Sequence, residues 1–246
     1  MSTNEPVDVV ARAEQFIRQD HIHEPMHDGF LWATMQRRDA EAAAVPAWEA
    51  LRELASHIKA HALTHLDAYL TQFEANATQR GAHVHWARDA AEHHAIVYAI
   101  LQDHGVTEVI KSKSMLQEEG VMTPFLERRG ITVTESDLGE RIQQLDGQPP
   151  SHIVFPAIHK TRQEVAQLFA RTIGTAPDND EPHVLTEAMR NHARPRFLAA
   201  GAGMTGANFA VADTGTFVVC TNEGNADIGA SVPPLHIASI GIEKII

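Results

Sequence analysis

Between residues 89 and 164 the chain repeats one arrangement: a short apolar run, a loop, and a side chain able to cap a helix. Asp89 precedes Glu92 by three positions, Ser114 precedes Gln117, Asp137 precedes Glu140 and Thr161 precedes Glu164. Such a pair can satisfy two free backbone N–H groups at a helix start, so each predicts a helix N-terminus. The predicted helices run from Asp89 to Gly105, from Ser114, from Thr123-Pro124 to Gly130, from Asp137, and from Thr161 to Gly174. Another covers 183–199, with Pro195 near its end as a kink. The apolar runs read as strands at 82–87, 106–111, 131–134 and 153–155, with later ones at 216–221 and 237–240. Strands alternating with capped helices predict an α/β domain with a mostly parallel sheet flanked by helices.

Residues 1–81 read as a helical N-terminal extension, and 82–246 as the α/β domain. Alanine is abundant in the extension, glycine nearly absent. Ala47, Leu51, Leu54, Ile58, Ala62, Leu66 and Leu70 recur at spacings of three and four. Pro46 near the start and Gly81 at the end bound one predicted helix of over thirty residues. His57, His61 and His65 recur every fourth residue on it. That spacing suits a metal-binding helix, but there is no HExxH motif and no nearby cysteine to complete a site. They read as a solvated or half-buried stripe, and no metal site is predicted.

The formal net charge is −12, which argues against broad nucleic-acid or anionic-membrane binding, since those need a basic face. No basic segment followed by an apolar block opens the chain, so no leader peptide is read there. No apolar run approaches the ~18–20 residues of a membrane span. One cysteine, Cys220, excludes an internal disulfide, a Cys-ligated iron–sulfur cluster and a Cys₄ zinc site within these residues, and fits a cytoplasmic setting. It falls in the apolar run 216–221 and is expected to be a small core residue.

Two polar stretches stand out. Lys111-Ser112-Lys113-Ser114 falls between a predicted strand end and a predicted helix start, where lysine charge and free N–H groups suit a phosphate or carboxylate. His159 and Lys160 fall at a similar strand end. The second stretch is GAGMTGANFAVADTGTFVVCTNEGN, residues 201–225, rich in glycine and in short polar side chains. Ligands of open α/β sheets bind beyond the carboxyl ends of the strands, so the two stretches are expected to share one cleft. Ordinary turns between core elements account for the same residues. Gly201, Gly203 and Gly206 match GxGxxG, but a helix precedes them, against the strand–turn–helix context of a dinucleotide site. Glu223, on a loop between Asn222 and Gly224, is the candidate acid, base or carboxylate nucleophile; its alternative role is to hold the turn.

The strings KSKSMLQEEG, ITVTESDLGE, PPSHIVFPAIHK, GMTGANFAVADTG and VVCTNEGN, in that order, resemble the LUD (lactate-utilisation) domain. The version most similar is the one in the iron–sulfur subunit of the bacterial L-lactate oxidation complex. The resemblance extends back to about residue 25. It implies the architecture shared by sugar-phosphate isomerases, CoA transferases and formyltetrahydrofolate cyclo-ligases. It also implies a role in oxidising L-lactate to pyruvate beside two partner subunits. A small anionic or nucleotide-like ligand would sit in the cleft. The binding residues it implies are Lys111, Ser112, Lys113, Glu118, Thr205, Asn208, Asp213, Thr214 and Asn222, with Glu223 beside them; the glycines Gly206, Gly215 and Gly224 complete the candidate set. The family's full-length subunit carries two cysteine-rich cluster motifs in a ferredoxin-like region that these residues lack. A truncated product is therefore expected, with no cofactor held by this chain itself. Other expectations are a transferase or ligase using Glu223 on a CoA- or folate-like substrate, or an assembly domain docking through its long helix to a partner or to further copies of itself.

Overall fold

A computed structural model describes residues 29–246 and, ahead of them, Val10, Glu14, Gln15 and Arg18. Those four apart, the helical and leader readings of residues 1–28 lie outside the described residues. The chain divides into two compact units, Met1–His57 and Ile58–Ile246.

The first unit holds α1 (Trp32–Ala44), which buries no residue, and most of α2 (Trp48–Thr64). Val45, extended as a residue before proline tends to be, ends α1. The single long helix expected over 46–81 is two helices. His65 leaves helical geometry (φ −117°, ψ 34°), and α3 (Leu66–Gln79) starts after it.

The second unit continues with α4 (Ala90–Asp103), β1 (Glu108–Lys111), α5 (Met115–Glu119), α6 (Met122–Glu127) and β2 (Thr132–Glu135). Next come α7 (Leu138–Leu145), α8 (Arg162–Ile173), α9 (Pro182–Ala199) and β3 (Ala202–Gly206). The chain then forms β4 (Phe209–Val211), β5 (Thr216–Val218), α10 (Asn225–Ser231) and β6 (Leu235–Ser239). Four strands make one parallel sheet in the order β2-β1-β3-β6; β4 and β5 form a separate antiparallel hairpin.

Paired residues of a parallel ladder share a face. Val109, Val133, Ala202 and Met204 thus face one side, where they pack with Val97 and Leu101 of α4 and Met122 and Leu126 of α6. Leu101, Met122 and Leu126 are fully buried, and each contributes about 2 kcal/mol by burial. On the other face α10 lies against β3 so closely that a Cβ on Gly203 would fall 1.7 Å from the Gly229 carbonyl oxygen. A further core joins α7, α8 and α9 through Ile142, Leu168, Phe169, Leu185 and Met189.

Three of the four capping pairs form. Asp89, Asp137 and Thr161 accept from the backbone N–H of Glu92, Glu140 and Glu164, and Thr161 makes the complete reciprocal box. Ser114 does not cap α5 with its side chain. Two expected strands are absent. Residues 82–87 pair with no strand, and at 153–155 His152 Nδ1 accepts from the N–H groups of Val154 and Phe155, which diverts donors a ladder would need. The apolar run at 216–221 is a hairpin arm outside the main sheet, and every residue of β5 is exposed to solvent in part. Cys220 accordingly is exposed, not in the core. No helix among the described residues is long and apolar enough to cross a membrane.

Candidate functional site

In the order β2-β1-β3-β6 the chain leaves β1 towards β2 on one side and returns to β3 on the other. The break in direction lies between β1 and β3, the position where open α/β sheets leave a crevice at their carboxyl ends. The 111–114 segment leaves β1 there, and Gly206 ends β3 beside it. A Cβ on Gly206 would stand 2.9 Å from Ser114 Oγ, and the Ser112 N–H donates to Met204 O at 2.9 Å.

Lys111 does not reach out of this crevice. Its side chain is fully buried and its ammonium bonds Glu118 and, at 2.9 Å, Glu135. Glu135 also accepts from Thr123 Oγ1 at 3.0 Å. Burial disfavours the ammonium, but Glu135, Glu140 and Glu118 more than compensate and raise its pKa. Glu140 completes the group: oxygens of Glu118, Glu135 and Glu140 lie within 4.8 Å of one another. Glu140 is 4% exposed, and its Oε2 has no hydrogen-bond partner. Burial first, then Glu135, Glu118 and Asp137, push its carboxyl up to about 8 against the pull of Lys111. The ammonium already stands where a cation would.

Lys113 is the half-buried cation of the loop, donating to Val154 O at 2.9 Å. Ser112 and Ser114 are buried beside it. Across β3 and β6 the polar rim continues. Thr205 is fully buried, its hydroxyl 2.9 Å from His236 Nε2. Gln117 donates to Ser239 Oγ at 2.9 Å and to Thr205 O at 3.3 Å, and His93 Nε2 lies 2.9 Å from the same serine hydroxyl. The helical turn α5 therefore lies across the carboxyl edge of the sheet, with Glu118 tied to Lys111 of β1, which also holds Glu135 of β2, and Gln117 tied to β3 and β6.

Besides these direct contacts, the two polar stretches are linked through a third segment. Asn225 Nδ2 donates to Ser136 Oγ at 3.2 Å, and the Ser136 N–H donates to Lys111 O at 2.8 Å. Asn222 and Glu223 are exposed just ahead of that contact, and Glu223 makes no hydrogen bond or ion pair among the described residues. Asn208 closes the base of the hairpin, accepting from the Cys220 N–H at 2.8 Å. Asp213, Thr214 and Gly215 are its tip, held by α3. Asn76 donates to Ala212 O and Asp213 O, and Arg80 to Thr214 O. The tip serves that contact: Gly215 has φ +63°, and a Cβ there would fall 2.2 Å from Ala77 N. His159 binds Ser151 and Lys160 pairs with Asp146, within their own loop. The His57, His61 and His65 side chains are exposed. Glu135, Glu140 and Gln117 escape a sequence reading as site residues because a polar side chain in a strand or helix carries no mark of its burial. A depression of about 410 Å³ opens at the opposite, amino ends of the strands, with His104 and Glu108 as its ionisable lining.

The LUD domain family matches residues 70–246. The chain belongs to the LUD domain family. It is similar to the lactate utilization protein B of Bacillus thuringiensis (strain Al Hakam), 42% identical over 199 residues, covering 81% of this chain and 42% of the relative. The proteins of that name from Bacillus cereus (strain B4264) and Bacillus anthracis (strain CDC 684 / NRRL 3495) match with the same figures. The chain thus spans about two fifths of the length of these curated relatives. No solved structure matches it significantly. The single cysteine of this LUD chain cannot supply the thiolates of an iron–sulfur cluster, and no chemical step is derived through one.

Proposed function

We propose that this LUD domain acts in lactate utilisation, as part of a complex that oxidises L-lactate to pyruvate. In this reading it binds a small anionic or nucleotide-like ligand at the crevice between β1 and β3. The observation that carries the reading is the approach of the 111–114 loop to Gly206 at the point where strand order reverses, with the Asn225 turn bonded to Ser136 just past the neighbouring end of β2. The resemblance to proteins named for lactate utilisation supports the pathway. Lys113 supplies the cation and the Ser114 hydroxyl a neutral donor. Lys111, its charge matched internally, fixes the loop. Clusters and further subunits belong to the same proposal, on the resemblance alone.

The test is calorimetric titration of the chain with L-lactate, pyruvate and adenine nucleotides. Saturable binding of one of them, weakened at least tenfold by Lys113→Ala, supports the site. Absence of binding by all of them, with unimpaired growth on lactate after deletion of the gene, removes the proposal.

A further inference from the structure

Arg141 on α7 and Arg196 on α9 are the arginines that are not fully exposed among the described residues. They stand at one place. Arg141 Nη2 lies 3.3 Å from His192 Nε2, and Arg196 Nη1 donates to the carbonyl oxygen of the same residue. Neither guanidinium forms a salt bridge among the described residues, although the chain has 32 acids against 20 Lys and Arg. Among the described residues the Arg141 guanidinium bonds two neutral groups, Gln144 Oε1 and the His192 ring. Its Nε is buried with no acceptor. Burial and then Arg196 lower the Arg141 pKa, and burial, Arg196 and Arg141 hold the His192 imidazole down at about 4. Glu135 acts favourably on Arg141 from a distance, but it is bonded to Lys111 and Thr123.

Two half-buried like charges repel, and burying an unmatched guanidinium is costly. Among the described residues no carboxylate contacts either guanidinium. An anion would match these charges. With a neutral imidazole the site carries two positive charges, which a dianion matches and a monocarboxylate does not. Planar guanidinium forks also fit phosphate oxygens two at a time.

We propose that Arg141, His192 and Arg196 form a second anion site, separate from the Lys113 crevice, and that it takes a phosphoryl dianion.

The test uses the full chain. Thermal unfolding is followed in phosphate-free buffer against inorganic phosphate, adenosine monophosphate and L-lactate. In parallel, the His192 ring resonances of labelled wild-type protein are titrated with each. Saturable stabilisation by phosphate or the nucleotide, with matching movement of the His192 signals, is expected. A larger effect of the nucleotide identifies an organic phosphate as the ligand; equal effects identify the free ion. Arg141→Gln and Arg196→Gln should each weaken binding at least tenfold, with unchanged or raised stability in phosphate-free buffer because a repulsion is removed. Lys113→Ala should leave this binding intact. The inference is overturned if phosphate and the nucleotide leave the His192 signals of the wild type unmoved. It is overturned equally if both arginine variants bind as the wild type does, or if L-lactate moves those signals as effectively as phosphate. Loss of phosphate binding in Lys113→Ala alone assigns the anion to the crevice and overturns the inference while supporting the proposed function.

Discussion

At the scale of single residues the decisive feature is an ammonium with no accessible surface, Lys111, between two carboxylates, with a third close by. Replacing it by methionine keeps the chain length and removes the only cation of the group. Glu118 and Glu135 then face each other and Glu140 unpaired. Lys111→Met is expected to destabilise the fold by about 3–5 kcal/mol, the usual cost of removing one partner of a buried pair, as read by denaturant unfolding. Glu140 offers a second measurement. Its carboxyl is raised to about 8 in the fold and titrates near 4.5 otherwise, so between those values the folded state holds a proton that the unfolded state does not. The resulting stability is complete below pH 4.5, declines as pH rises by up to about 1.4 kcal/mol per unit, and is gone above the folded value. Glu140→Gln is neutral throughout. The variant should gain on the wild type steadily from pH 5 to 8 and hold a constant margin above that. Parallel stability–pH curves would show that Glu140 is ionised in the fold. The lysine was visible in the sequence as part of a charged loop. Its inward direction was not, because register with Glu135 decides it and register is a property of two strands.

Among the elements, those defined by local chemistry were readable and those defined by partners were not. Asp89, Asp137 and Thr161 cap their helices with a hydrogen bond three residues away, so the signal and its effect lie in the same short stretch. The central strand β3, Ala-Gly-Met-Thr-Gly, has almost none of the β-branched or aromatic bulk that marks a strand. It is small because α10 approaches its backbone. Gly203→Ala tests that reason directly. The added methyl meets a main-chain oxygen that cannot step aside without moving α10, so a loss of about 1–3 kcal/mol is expected in thermal unfolding. A variant as stable as the wild type would mean that α10 is not packed on β3 as described. Conversely, Ile153-Val154-Phe155 has strand-like residues, yet His152 takes up two of its N–H groups, and Ile153 and Val154 stay about half exposed.

For the molecule as a whole, the question is how much chain the sheet needs in order to stand. The apolar series at spacings of three and four was legible as a helix, but not the fact that it changes use along its length. Leu51 and Leu54 are exposed, whereas Ala62 is buried and Leu66, Tyr69, Leu70 and Phe73 pack with Ala210, Ala212 and Ile245. Lys59 adds to this contact by bonding the carbonyl oxygens of Glu243 and Ile245. Asn76 and Arg80 hold the hairpin tip from the same helical stretch. Residues 58–80 are thus a wall of the second unit. A fragment spanning 58–246 should unfold in one cooperative transition and resist limited proteolysis. A fragment spanning 82–246 loses the partners of Ala210, Ala212 and Ile245, and exposes that cluster together with unpaired carbonyls at the hairpin tip. Side-chain burial of this extent is worth several kcal/mol, comparable to the whole margin of a domain, so the shorter fragment should be cleaved rapidly at 207–224 or aggregate. If both fragments unfold alike and with equal cooperativity, helix α3 is dispensable, and the crevice at β1 and β3 is supported by the sheet and its flanking helices without it.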